Sequence, residues 1–81
     1  MLQEIPLYHL KVGESCRVLS LTAEGILRRR LLDLGFVPGA QVKNIRRSPL
    51  GDPTAYLVRG AAVALRKEEA ALIKVTLKNL A

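Results

Sequence analysis

The sequence predicts a mainly β fold: a small closed or nearly closed barrel of about five short strands, with one short α-helix at about residues 23–34 between the first and second strands. Three observations predict it. Five apolar or β-branched runs, at 16–21, 41–47, 54–58, 61–66 and 73–77, are separated by turn residues. Only one stretch has a helical period: Leu27, Leu31 and Leu34 recur at i, i+4 and i+7. And 81 residues supply a single core, so many short strands are best served by a sheet that closes on itself and hides its edges.

Each element has its own signal. In residues 5–14, Leu7, Leu10 and Val12 are expected to anchor a helical turn ahead of Gly13. Residues 16–21 (CRVLSL) follow as a strand. Thr22 is placed to cap the helix, and Glu24 lies in its first turn, where a negative charge suits the dipole. Gly35 stands where a C′ glycine belongs, and Pro38 prevents continuation. Leu27, Leu31 and Leu34 form the face this helix should bury. In 41–47 (QVKNIRR), Val42 and Ile45 are three apart and would point to opposite faces, which predicts a bulge or sharp bend. Ser48 to Pro53 (SPLGDP) is a dense turn signal. TAYLV, a short Arg59-Gly60 connection and AAVALR then form a hairpin. Lys67 to Ala71 make one helical turn. Ile73, Val75 and Leu77 alternate with Lys74, Thr76 and Lys78 in the cleanest half-buried strand.

Composition bounds the function. Residues are 49% hydrophobic and 25% charged, as in globular proteins and unlike disordered ones. No apolar run approaches the ~20 residues a membrane helix needs, and the first residues carry no signal-peptide pattern, so no membrane insertion is expected. Thirteen bases against seven acids leave a net charge of +6. Residues 25–59 hold seven of the bases and two of the acids. That balance suits a partner of negative potential. The whole of 1–81 reads as one domain.

Chemistry is sparse. No nucleophile–base set and no phosphate-cradling loop is visible, which argues against an enzyme. The single Cys16 reads as a small strand hydrophobe and His9 as a surface residue. One Cys and one His exclude a Cys/His zinc site within one chain. No cofactor or metal ligand is nominated; a divalent metal such as ferrous iron or zinc would be held weakly or between protomers. Nucleic acid is disfavoured, because Arg28, Arg29 and Arg30 fan around the helix and few aromatics are available for stacking. Arg29 is spaced to pair with Asp33.

The unusual features are apolar. Leu32 falls off the Leu27/31/34 stripe, near Arg28 and Arg29, and Leu50 sits in a Pro-Gly-Asp-Pro turn. Apolar side chains rimmed by charge can mark a protein-binding surface, although single exposed leucines are ordinary. Arg28, Arg29, Leu32, Leu50 and Asp52 are therefore the candidate partner-binding residues.

Three segments in order resemble the FeoA family: Arg28-Arg29-Arg30-Leu31-Leu32-Asp33-Leu34-Gly35-Phe36-Val37-Pro38-Gly39, then Ser48-Pro49-Leu50-Gly51-Asp52-Pro53, then Val63-Ala64-Leu65-Arg66 with Ala70 and Ile73-Lys74-Val75. The resemblance covers about residues 5–77. It implies an SH3-like β-barrel like the C-terminal domain of DtxR-type repressors. It also implies a non-enzymatic cytoplasmic accessory of bacterial ferrous iron uptake that modulates the FeoB permease through its cytosolic GTP-binding domain. The family is often described as binding transition metal ions. A regulatory nucleic-acid-binding or metal-sensing barrel is the alternative, and homo-oligomerisation stays open.

Overall fold

The computed structural model describes residues 3–77. Six antiparallel strands form one sheet: β1 (Glu4–Pro6), β2 (Ser15–Leu21), β3 (Gln41–Arg47), β4 (Thr54–Val58), β5 (Ala61–Leu65) and β6 (Ile73–Leu77). A 3-10 turn (Leu7–His9) follows β1, helix α1 (Gly25–Asp33) links β2 to β3, and one-turn α2 (Lys67–Ala70) links β5 to β6. The order across the sheet is β1-β6-β2-β3-β4-β5, wrapped around a single core.

The sheet has six strands rather than five. The extra one, β1, is three residues long and contains Pro6. It shows no alternation of its own and exists through pairing at the far end of the chain, Glu4 with Thr76 and Ile5 with Val75. Lys78 lies outside the described residues.

The bulge in β3 is present. The register slips between Asn44 and Arg46, which leaves Ile45 as the extra, outward residue. Past the slip the inward position belongs to Arg47 instead of Arg46. A matching slip in β2 between Val18 and Ser20 turns Leu19 outward.

Helix α1 runs over 25–33, shorter than the expected 23–34. Thr22 is not its cap. The Thr22 backbone N–H and hydroxyl both donate to the Leu72 carbonyl, at 2.7 and 3.1 Å, which ties the β2–α1 link to the start of β6. Glu24 occupies the N-cap position without a side-chain cap bond. At the other end the expected glycine stop is found. The Gly35 N–H donates to the Leu32 carbonyl and the Phe36 N–H to the Leu31 carbonyl, a Schellman pair around a Gly35 φ of +113°. Gly35 also packs closely: a Cβ there would lie 2.8 Å from Cδ of Arg59. Leu31 is fully buried, whereas Leu27 and Leu34 are half-buried against the same core.

That core joins Leu7, Leu10, Cys16, Val18, Phe36, Val42, Tyr56, Val58, Leu65, Ile73 and Val75. Val12 is not among the anchors. It is 57% exposed, because the chain turns away from the core after Leu10. The i,i+4 pair between Arg29 and Asp33 does not form; among the described residues the ion pair joins Arg30 of α1 to Glu69 of α2.

Candidate functional site

The loop from Ser48 to Pro53 is a compact turn. The Gly51 N–H donates to the Ser48 carbonyl at 2.7 Å, and the Ser48 N–H to the Pro53 carbonyl at 3.0 Å. This closure throws Leu50 outward, leaving it 93% exposed. Asp52 faces the other way. Its Oδ1 accepts the N–H of Lys67 at 2.9 Å, the first residue of α2. Asp52 thus satisfies an orphan donor at a helix start and holds the loop against α2.

Helix α2 carries the link further. Glu69 accepts the Arg66 N–H at 2.9 Å and pairs with Arg30. The Leu50 loop and α1 therefore border the same short helix. On α1, Arg28 lays its guanidinium back onto the Leu21 carbonyl at 3.1 Å, which anchors the helix to β2. Arg29 is exposed, and Leu32 is half-buried against the core.

The structure adds a residue that sequence reasoning passed over. Ile26 is 90% exposed in the first turn of α1. With Arg29, Arg30 and Asp33 it makes up the i, i+3, i+4, i+7 face opposite the buried leucines. Its position off the Leu27/31/34 stripe was the available signal. Among the described residues, Leu50 and Ile26 are the two most exposed large hydrophobics.

Beside the Leu50 loop lies a groove of about 440 Å³. Its floor is the cross-strand pair Ala55 and Ala64. Arg46 and Arg47 line one side, and Pro49 and Pro53 bring the loop in as a wall.

Under the inner side of the same strands sits a polar cluster. Asn44 donates through Nδ2 to the Leu10 carbonyl at 2.8 Å, and Arg47 donates to the Tyr8 and Leu10 carbonyls at 2.9 and 3.3 Å. The Arg47 guanidinium lies 4.7 Å from the Tyr8 ring centre, a cation–π contact. This cluster clamps the 3-10 turn over the mouth of the sheet. Asn44 Oδ1, Thr54 Oγ1 and Tyr56 Oη are buried without a protein partner. Burial pushes the Tyr56 hydroxyl up from its ordinary value, against the opposing pulls of Arg47 and of the neighbouring Thr54 hydroxyl.

Cys16 is fully buried. Burial, and secondarily the carboxylate of Glu14, pushes its thiol up to about 12, far from the reactive thiolate form. His9 is exposed. Among the described residues no group of three or more His, Cys, Asp or Glu side chains converges. No helix is long and apolar enough to cross a membrane.

These features define a class: a small SH3-like β-barrel whose distinguishing assets are exposed apolar side chains and a mostly apolar groove edged by Arg46. The model of the FeoA domain matches residues 5–77, and the chain belongs to the FeoA family. A solution structure of FeoA from Chlorobium tepidum superposes with a TM-score of 0.85 at 43% identity, over 95% of this chain and 71% of that one. FeoA from Stenotrophomonas maltophilia, described as an SH3 domain protein complexed with zinc, superposes at 0.76 with 33% identity, over 93% of this chain and 88% of that one. A fusion of Fe(2+) transport protein A with Fe(2+) transporter FeoB, from Porphyromonas gingivalis, is 35% identical over 71 residues. The match spans 88% of this chain and 8% of the fusion protein.

Proposed function

We propose that this chain is a non-enzymatic accessory of ferrous iron uptake. It docks on the cytosolic GTP-binding part of a FeoB-type permease and biases that partner's nucleotide cycle or assembly. The observation that carries the reading is the Porphyromonas gingivalis fusion, in which a similar domain is part of one polypeptide with a FeoB transporter. Covalent linkage keeps two modules at high effective concentration, an arrangement useful when they work in contact. Docking on that part of the permease places the chain in the cytoplasm.

The barrel's surface suits such a role. Leu50 is an apolar knob held out by a closed turn, and Asp52 keeps that turn seated on α2. Ile26 and Arg29 share the solvent face of α1, across α2 from the loop. Arg28 and Leu32 support this face from below. A few such residues carry most of the affinity at an interface, and the surrounding bases raise the association rate and its salt sensitivity.

The test is a binding titration of the chain on the soluble GTP-binding domain of a FeoB-type permease. Leu50→Asp is expected to weaken binding by about thirtyfold or more, the equivalent of a hot-spot loss of ~2 kcal/mol. Its melting midpoint should stay close to that of the parent chain, because Leu50 touches solvent rather than core. Unaltered binding would remove the loop from the interface.

A further inference from the structure

We infer that β5 is a docking edge for an extended acidic segment of a partner protein, which adds to the sheet as a seventh strand. This rests on the reading of the chain as a docking module and names the chemistry that one surface would select.

The sheet has two ends, and they differ. β1 is three residues long and carries Pro6, which lacks a donor. β5 is five residues long, reads Ala-Ala-Val-Ala-Leu and contains neither proline nor charge. It pairs with β4 along one side and ends the sheet on the other.

The hairpin register fixes which groups face outward. Val58 pairs with Ala61 across a two-residue connection, in which Arg59 has φ +53° and Gly60 φ +80°. Such a tight turn makes Val58–Ala61 a hydrogen-bonded pair. Pairs then alternate, so Tyr56–Val63 is bonded, while Leu57–Ala62 and Ala55–Ala64 are not. The N–H and C=O of Ala62 and Ala64 therefore point to the open edge, a template for strand addition.

The surroundings select the occupant. The side chains of Ala62 and Ala64 are exposed, and Ala64 floors the groove with Ala55. Small residues let another backbone approach closely. Arg46 lines the groove, and Arg59 and Arg66 flank the two ends of β5, while Lys67 lays its ammonium over the Tyr8 ring at 5.3 Å and the Arg59 stem packs against Gly35. Of the nearby acids, Asp52 is taken up by the Lys67 N–H and Glu69 by Arg30 and the Arg66 N–H; exposed Glu68 is outnumbered by Arg46, Arg59 and Arg66. A second copy of a chain with net charge +6 would bring this basic rim against its own image. A segment of alternating acidic and β-forming residues meets it with opposite charge.

The experiment uses the full isotope-labelled chain and a blocked peptide of alternating Thr and Glu, followed by amide resonances and amide exchange. At saturation, exchange at Ala62 and Ala64 should slow by about tenfold or more. Ala64→Pro removes an outward N–H and leaves the β4–β5 ladder intact, and should weaken peptide binding by about tenfold or more. The same peptide N-methylated at every residue has no N–H left on either edge; it tests the unmodified chain and should bind comparably weakly, which guards against a variant that fails to fold. Three results would each overturn the inference: no binding, binding without protection at Ala62 and Ala64, or equal binding of the N-methylated peptide. Self-association in sedimentation that Ala64→Pro abolishes would assign the edge to a second copy and overturn it equally. No permease is present, so the outcome is read separately from the Leu50→Asp titration.

Discussion

Leu31→Ala tests the packing on which every surface argument depends. Leu31 has no exposed area and sits in the core with Phe36, whose N–H closes the end of α1 on the Leu31 carbonyl at 3.1 Å. The substitution removes about three carbon groups at ~0.8 kcal/mol each, or ~2.4 kcal/mol of transfer free energy. The cavity left behind adds to this, giving an expected loss of ~3–4 kcal/mol. A domain of this size has a total stability of ~4–12 kcal/mol, so the variant should be close to unfolding. The chain has no Trp, so urea unfolding followed by far-ultraviolet circular dichroism is the suitable assay. The midpoint should fall while the slope stays constant. Ile26→Ala, at a position 90% exposed, is the control and should change stability by less than ~0.5 kcal/mol. A loss below ~1 kcal/mol for Leu31→Ala, or a larger one for Ile26→Ala, would refute the assignment of the helix faces.

Two further outcomes follow from the buried Cys16 thiol. The Cys16 thiol, pushed up to about 12 from 9.0, holds ~1000-fold less thiolate at pH 8 than in the unfolded chain. Its labelling by a disulfide reagent should therefore be slower in the native protein by at least that factor, and a rate within tenfold of the unfolded rate would contradict the burial. The folded thiol titrates above the unfolded one, so its contribution to stability is complete below about pH 9 and is lost as pH rises toward 12. Cys16→Ala should flatten that alkaline decline in unfolding titrations.

Much of the fold was legible in local patterns. The strand at 73–77 follows from alternation, the bulge in β3 from the Val42–Ile45 spacing, and the end of α1 from Gly35. What escaped depends on distant partners. β1 is a strand only because β6 is beside it. Thr22 has the residue type of a cap, yet its hydroxyl bonds to Leu72, on the far side of the chain's middle. The candidate surface divides in the same way. Leu50 could be placed outside from turn chemistry alone. Asp52 shares its turn, and only the tertiary structure brings its carboxylate to the start of α2. The open side of β5 could not be read at all, because which strand ends a sheet is a property of topology.

That this protein acts by presenting a surface to a macromolecular partner is tested by a resonance-by-resonance map of the labelled chain as the GTP-binding domain of a FeoB-type permease is added. Shifts should concentrate at residues 48–53, the Ile26–Arg29 face of α1 and the α2 helix between them, with the core unmoved. Saturation that leaves those resonances in place, and instead perturbs the surroundings of His9 or buried Cys16, would contradict it.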